Sequence, residues 1–215
     1  MDFKKSKYDA NHIIGVYNLK LNHQCAYLDQ LTALTNGMYR FDANDPELEK
    51  LRKRLERKGS FFNEEELKMR FLAFLFEFAD IEVEGKLEIF FERTLTTELQ
   101  NEKQTIKCDC LFASPFGIYE PKLPYFFLQE FKKQKQQDDA EGQMLLGMLI
   151  AQNLNKNSMP VYGCWIQGKN WVFTTLHEDN YCVSRQYDVV QAHDLYNVIN
   201  ILQNFKHIIL AQIEA

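Results

Sequence analysis

The segment Cys108–Lys133, CDCLFASPFGIYEPKLPYFFLQEFKK, decides how the chain is read. Two apolar, β-prone runs flank a Pro- and Gly-containing centre. They carry one carboxylate near the start, Asp109, and a carboxylate and an ammonium two residues apart near the end, Glu130 and Lys132. A buried strand normally excludes such groups unless they are paired or bind something. Alternation along a strand places Glu130 and Lys132 on one face with Phe126 and Leu128, and Tyr125, Phe127, Gln129 and Phe131 on the other. If 106–113 and 125–133 form a hairpin, the register that sets Asp109 opposite Glu130 centres the loop between Tyr119 and Glu120, inside the expected turn SPFGIYEPKLP at 114–124. Cross-strand neighbours sit about 5 Å apart. Two carboxylates at that spacing repel in an apolar setting, and one pKa rises sharply unless a cation intervenes. A hard divalent cation satisfies both, with Mg²⁺ or Mn²⁺ the expected occupant. Lys132, one step along the same face, could then meet a bound water or a phosphoryl oxygen, which is the chemistry of phosphodiester hydrolysis.

Outward from this segment the chain alternates helices and strands. DPELEKLRKRLERKG has Asp45 to cap it, Pro46 in its first turn, Leu48, Leu51 and Leu55 on one face, and Gly59 to stop it. NEEELKMRFLAFLFEF has Asn63 as cap and an expected apolar face of Phe71, Phe74, Leu75 and Phe78. From Leu87 the period becomes two, through LEIFFERTLTTEL and TIKCDCLFA to LPYFFLQEFKK, an antiparallel meander. A helix follows in DDAEGQMLLGMLIAQNLN, with Asp138 or Asp139 as cap and Gly142 and Gly147 expected to let it approach a sheet. MPVYGCWIQ, WVFTTL and NYCVSR are further strands, the first two a hairpin expected to bury Trp165 and Trp171. An amphipathic helix with Leu195, Val198, Ile199, Leu202, Phe205 and Ile209 on one face closes the chain. A helix between strands of one sheet is a crossover, so the class is α/β with a mixed sheet. Residues 1–62 form an N-terminal helical extension of the same unit, and 63–215 the main domain.

Composition narrows the function. The 215 residues, 46% hydrophobic with 17 Phe and 10 Tyr, are those of a folded chain with a sizeable core, and the net charge of −5 advertises no general affinity for nucleic acid. A polyanion would meet a local patch, either KLRKRLERK (Lys50–Lys58) or FKKQK (Phe131–Lys135). No window reaches the roughly 18 apolar residues of a spanning helix, and the first residues lack a secretory h-region, so a cytoplasmic protein without a membrane partner is expected. Five scattered Cys without a CxxC pair read as reduced thiols. Cys108 and Cys110 are read as small buried residues pointing away from the face Asp109 uses, rather than as zinc ligands. The five His show no ligand spacing or nucleophile partner, and no Gly-rich phosphate loop is present.

Glu-x-Lys also occurs at Glu56–Lys58, Glu66–Lys68, Glu84–Lys86 and Glu120–Lys122, but the first two lie on expected helices and the others in turns. Only Glu130–Lys132 ends an apolar strand, follows a strand bearing an Asp and precedes a capped helix. Asp109, the 21-residue step to Glu130, Glu130-Phe131-Lys132 and the next helix with Gln143 resemble the PD-(D/E)xK nuclease superfamily. The resemblance covers about residues 63 to 176 and implies a restriction-endonuclease-like αβββαβ core. It further implies Asp109 and Glu130 as metal ligands, Lys132 assisting the attacking water, Gln143 bordering the site and, from the NEEELKMRFL helix, Glu66 as a third metal ligand with Arg70 one turn on. Cys108 stands where the family often has Pro, and no DNA-reading module is recognisable. The implied protein is a metal-dependent nuclease acting on nucleic acid, DNA before RNA, with a homodimer as a plausible form. The competing readings are a catalytically silent nucleic-acid-binding or assembly subunit, and a protein-interaction module using its aromatic surface.

Overall fold

A computed structural model describes residues 8–33, 45–117, 120–132 and 139–214. Its centre is a seven-stranded mixed sheet in the order β1-β7-β6-β5-β4-β3-β2. The strands are β1 (Lys20–Asn22), β2 (Glu88–Leu99), β3 (Glu102–Phe116), β4 (Glu120–Lys132), β5 (Val161–Gln167), β6 (Asn170–His177) and β7 (Asn180–Asp188). The pairs β2/β3, β3/β4, β5/β6 and β6/β7 are antiparallel, whereas β4/β5 and β1/β7 are parallel. Strands β4 and β5 are joined through helix α6 (Ala140–Asn155), the crossover that parallel neighbours require. The N-terminal region is more than helical: α1 (Ala10–Val16) packs on α6, β1 extends the sheet, and α2 (Ala26–Thr32) follows.

Helices cover both faces. On one, α3 (Pro46–Lys58), the segment Glu64–Ala79 and α7 (Ala192–Ile213) bury Leu48, Leu51, Leu55, Phe71, Leu75, Leu195, Val198, Leu202 and Phe205 against Phe112, Phe127 and Phe131. The ring of Phe205 lies 4.8 Å from that of Phe127, 5.6 Å from Tyr162 and 5.8 Å from Phe112, centroid to centroid. On the other face, α1 and α6 bury Ile13, Met144, Leu145 and Met148 against Leu111, Val161 and Tyr181. The caps behave as their chemistry dictates. Asp45 accepts from the Glu47 and Leu48 amides, Asn63 and Glu66 make a capping box, and Asp139 accepts from the Gly142 amide.

Four local expectations change. The helix from Asn63 consists of α4 (Glu64–Leu67), a π turn at Lys68–Leu72 and α5 (Ala73–Ala79). The π turn carries one extra residue and rotates the later face, so Leu72, Phe76 and Ala79 are buried while Phe74 is 44% exposed and Phe78 half-buried. The expected turn at 114–124 is largely paired strand: irregularities around Ala113 shift the pairing to Ser114↔Lys122, Pro115↔Pro121 and Phe116↔Glu120. Close helix-sheet approach comes from Gly163 on β5, where a methyl would meet the Met148 and Met144 sulfurs at 2.7 and 2.9 Å. Gly142 instead makes room for the N-terminal segment, since a methyl there would lie 1.5 Å from the Tyr8 carbonyl oxygen. In the β5/β6 hairpin Trp171 is buried as expected, but Trp165 is only half-buried.

Cys25 and Cys182 are joined in a disulfide with their Cα atoms 6.5 Å apart, against the expectation of five reduced thiols. Their separation of 157 residues hides the pairing until β1 docks beside β7 and α2 starts there. Cys108, Cys110 and Cys164 are free and buried. Among the described residues no helix is long and apolar enough to cross a membrane.

Candidate metal and catalytic site

The register of β3 with β4 is the one that sets Asp109 beside Glu130: Phe112↔Phe127, Leu111↔Leu128 and Cys110↔Gln129. Beyond Gln129 the ladder gives way, and the Phe131 amide donates to Asp109 Oδ2 at 2.8 Å. The neighbouring strand is irregular at the same level. Glu92 has a left-handed φ of 57°, and its pairing with Asp109 is missing between Phe91↔Cys110 and Arg93↔Cys108. There the alternation of both strands slips by one. Cys108 therefore enters the core beneath α6 while Cys110 enters the opposite core, so the two thiols do not share a face. Asp109 sits at the slip and reaches across to β4.

Glu130 and Lys132 share a face, as strand alternation requires, and both are buried. Lys132 Nζ donates to Glu130 Oε1 at 2.6 Å and lies 3.9 Å from Glu64 Oε1. Burial, reinforced by the negative charge of Asp109 and opposed by Lys132, pushes the Glu130 carboxyl up to about 7. Burial works against the Lys132 ammonium, yet Glu130 overrides it and holds the pKa above the ordinary lysine value.

Sequence reasoning missed one member of the site. Lys68 Nζ lies 2.6 Å from Glu92 Oε1, 3.2 Å from Asp109 Oδ1 and 3.3 Å from Glu65 Oε1, and 5.7 Å from the centre of the Phe131 ring. Its side chain is 11% exposed. Burial opposes its charge, but Glu92 and Asp109 together hold its pKa above the ordinary value. Glu92 is shared with Lys107. The signal was Lys68 itself, i+3 from Glu65 and i+4 from Glu64, passed over because Glu66-x-Lys68 lies on a helix.

Two expected members are not brought to the cluster. Glu66 turns back to the Asn63 amide at 3.1 Å and to Arg70 at 3.8 Å, because the capping box claims it. The carboxylate that the first turn offers to Lys132 is Glu64. Gln143, in the first turn of α6, makes no hydrogen bond to Asp109, Glu130 or Lys132, and its Oε1 is buried with no partner among the described residues. The basic run from Phe131 lies outside the described residues after Lys132, while half of the α3 run, Lys50, Arg52 and Lys53, is ion-paired within its helix to Glu47 and Glu49.

The donor set suits a hard divalent cation in kind: two carboxylates, Asp109 and Glu130, with Glu64 nearby and no sulfur or imidazole. Among the described residues no three His, Cys, Asp or Glu side chains close on one metal position. Two carboxylates alone would leave most coordination positions of such a cation to water. The negative charge is matched internally by Lys68 and Lys132. No protein-family model matches the chain, and no curated protein sequence matches it either.

Proposed function

We propose that the chain is a divalent-metal-dependent nuclease that hydrolyses phosphodiester bonds in nucleic acid, DNA in preference to RNA, and that it acts in the cytoplasm. The observation that carries this reading is the meeting of Asp109 with the Glu130-Phe131-Lys132 backbone through the Phe131 amide, which groups two carboxylates and an ammonium from two strands in a buried setting. The element order supports a restriction-endonuclease-like core: a helical segment, three antiparallel strands, α6, and β5 parallel to β4. The disulfide lies at the β1/β7 edge, three strands from β4, so it leaves this chemistry untouched.

In this reading Asp109 and Glu130 would hold the cation, and Gln143, which makes no hydrogen bond to Asp109, Glu130 or Lys132, is given no role. When bound, Mg²⁺ or Mn²⁺ supplies positive charge at the phosphorus centre and makes water more acidic. Lys132, kept protonated by Glu130, serves as a hydrogen-bond donor to a non-bridging phosphoryl oxygen and to the attacking water rather than as a base. Glu64 keeps that ammonium oriented. Burial around Phe131 strengthens each of these interactions by excluding water. Two copies acting together would cut both strands of a duplex.

The pairing of each ligand carboxylate with a lysine favours one second reading, a catalytically silent nucleic-acid-binding or assembly subunit. Labelled single- and double-stranded DNA and RNA, incubated with Mg²⁺, Mn²⁺ or chelator, separate the two. Metal-dependent cutting by the wild type, lost in Lys132→Ala, is the expected result. Salt-sensitive binding without cutting under any condition would refute the nuclease and leave the silent subunit.

A further inference from the structure

We propose that Lys68 is a built-in occupant of the metal position, an ammonium that a divalent cation displaces from Asp109 as it binds. This inference rests on the nuclease reading. Asp109 Oδ2 is committed to the Phe131 amide, so Oδ1 is the oxygen left for a cation, and Lys68 sits on it at 3.2 Å. Two positive charges cannot share that oxygen at contact distance in a buried site without strong repulsion.

Displacement is feasible because Lys68 has somewhere to go. It already touches Glu92 at 2.6 Å and Glu65 at 3.3 Å, and Glu65 faces solvent, so withdrawal from Asp109 does not strand a bare ammonium. Lys68 is also the first residue of the π turn Lys68–Leu72, a backbone arrangement that holds one residue more than an α-helical turn and recurs where helices serve functional sites. On the opposite side, Glu92 is held in a left-handed conformation rare for a residue with a side chain, which aims its carboxylate at the same ammonium. Glu92 and Glu65 form a resting place and Asp109 the contested one. Lys68 thus keeps Asp109 neutralised when no metal is present, and the metal affinity of the site is set by the exchange.

Two measurements test this on the full chain. The first is Mn²⁺ titration, followed by electron paramagnetic resonance, of the wild type, Lys68→Met and Asp109→Ala. Removing a competing charge should tighten Mn²⁺ binding in Lys68→Met by about tenfold, within the range usual for coupled ligands. The second uses the wild type alone and so survives a variant that fails to fold: acylation of Lys68 by an N-hydroxysuccinimide ester, read by peptide mass spectrometry with and without Mn²⁺. Lys68 labelling should rise severalfold on metal addition, while Lys86, paired with Glu214 elsewhere on the surface, stays constant. Equal or weaker Mn²⁺ binding in Lys68→Met, or labelling that Mn²⁺ leaves unchanged or lowers, overturns the inference and leaves the nuclease reading standing. A wild type that neither binds Mn²⁺ through Asp109 nor cuts any substrate overturns the nuclease reading, and the inference falls with it.

Discussion

Glu130 makes the stability of the metal-free protein depend on pH, and the double variant Glu130→Gln, Lys132→Met isolates the effect. The carboxyl titrates at about 7 in the folded chain, against 4.5 for an ordinary glutamate. Because the folded value is raised, the unfolded chain releases this proton first. The two states carry the same proton below pH 4.5, the cost of ionising Glu130 in place grows between 4.5 and 7, and above 7 it is constant. Linkage puts the loss of stability between pH 5 and pH 8 at about 2–3 kcal/mol. Lys132, its pKa raised by Glu130, remains protonated throughout and adds no slope. Removing both partners avoids leaving a buried ammonium alone, the flaw of Glu130→Gln by itself. Urea denaturation in chelator at pH 5, 6, 7 and 8 measures the difference, since every other titrating group is common to both proteins. Parallel stability curves for wild type and double variant would refute the burial and charge arrangement assigned to Glu130.

The same titration predicts that Mn²⁺ affinity rises up to about tenfold per pH unit below 7 and levels off above it, checked by titrations from pH 5.5 to 8.5. Gly142→Ala forces a methyl onto the Tyr8 carbonyl and should cost about 1–3 kcal/mol with faster hydrogen exchange at the Ala10 amide, whereas Gly15→Ala, with no atom within 4 Å, should cost nothing. Phe205→Ala empties the centre of the aromatic cluster with Phe112, Phe127 and Tyr162 and should lose about 3–5 kcal/mol in urea denaturation.

Much of the fold was legible because its signals are local. The caps at Asp45, Asn63 and Asp139, the apolar stripe of α7 and the alternation of β4 each depend on residues a few positions apart. The π turn was not legible: nothing in KMRFL distinguishes five residues of π turn from four of α, and the choice follows from which of Phe74 and Phe76 finds a core to enter. The Glu66 assignment failed for a related reason. Asn63 and Glu66 satisfy each other's backbone at the helix start, and that bond outweighs reaching the site, which leaves Glu64 nearest to Lys132.

The sequence by itself determined the α/β class, the hairpin register between β3 and β4, and with it the neighbourhood of Asp109, Glu130 and Lys132. The apolar pattern of the two strands constrains this register, since a one-residue slip would turn a buried apolar face to water. Only the tertiary structure decided that β1 closes the sheet beside β7, that Cys25 meets Cys182, and that the ladder slips at Glu92 and Asp109. It also decided that Lys68, 41 residues before Asp109, supplies the charge that the pair of carboxylates demanded. Contacts across such separations leave no periodic mark in the chain. They arise where independent elements dock, and burial then selects which ammonium each carboxylate holds.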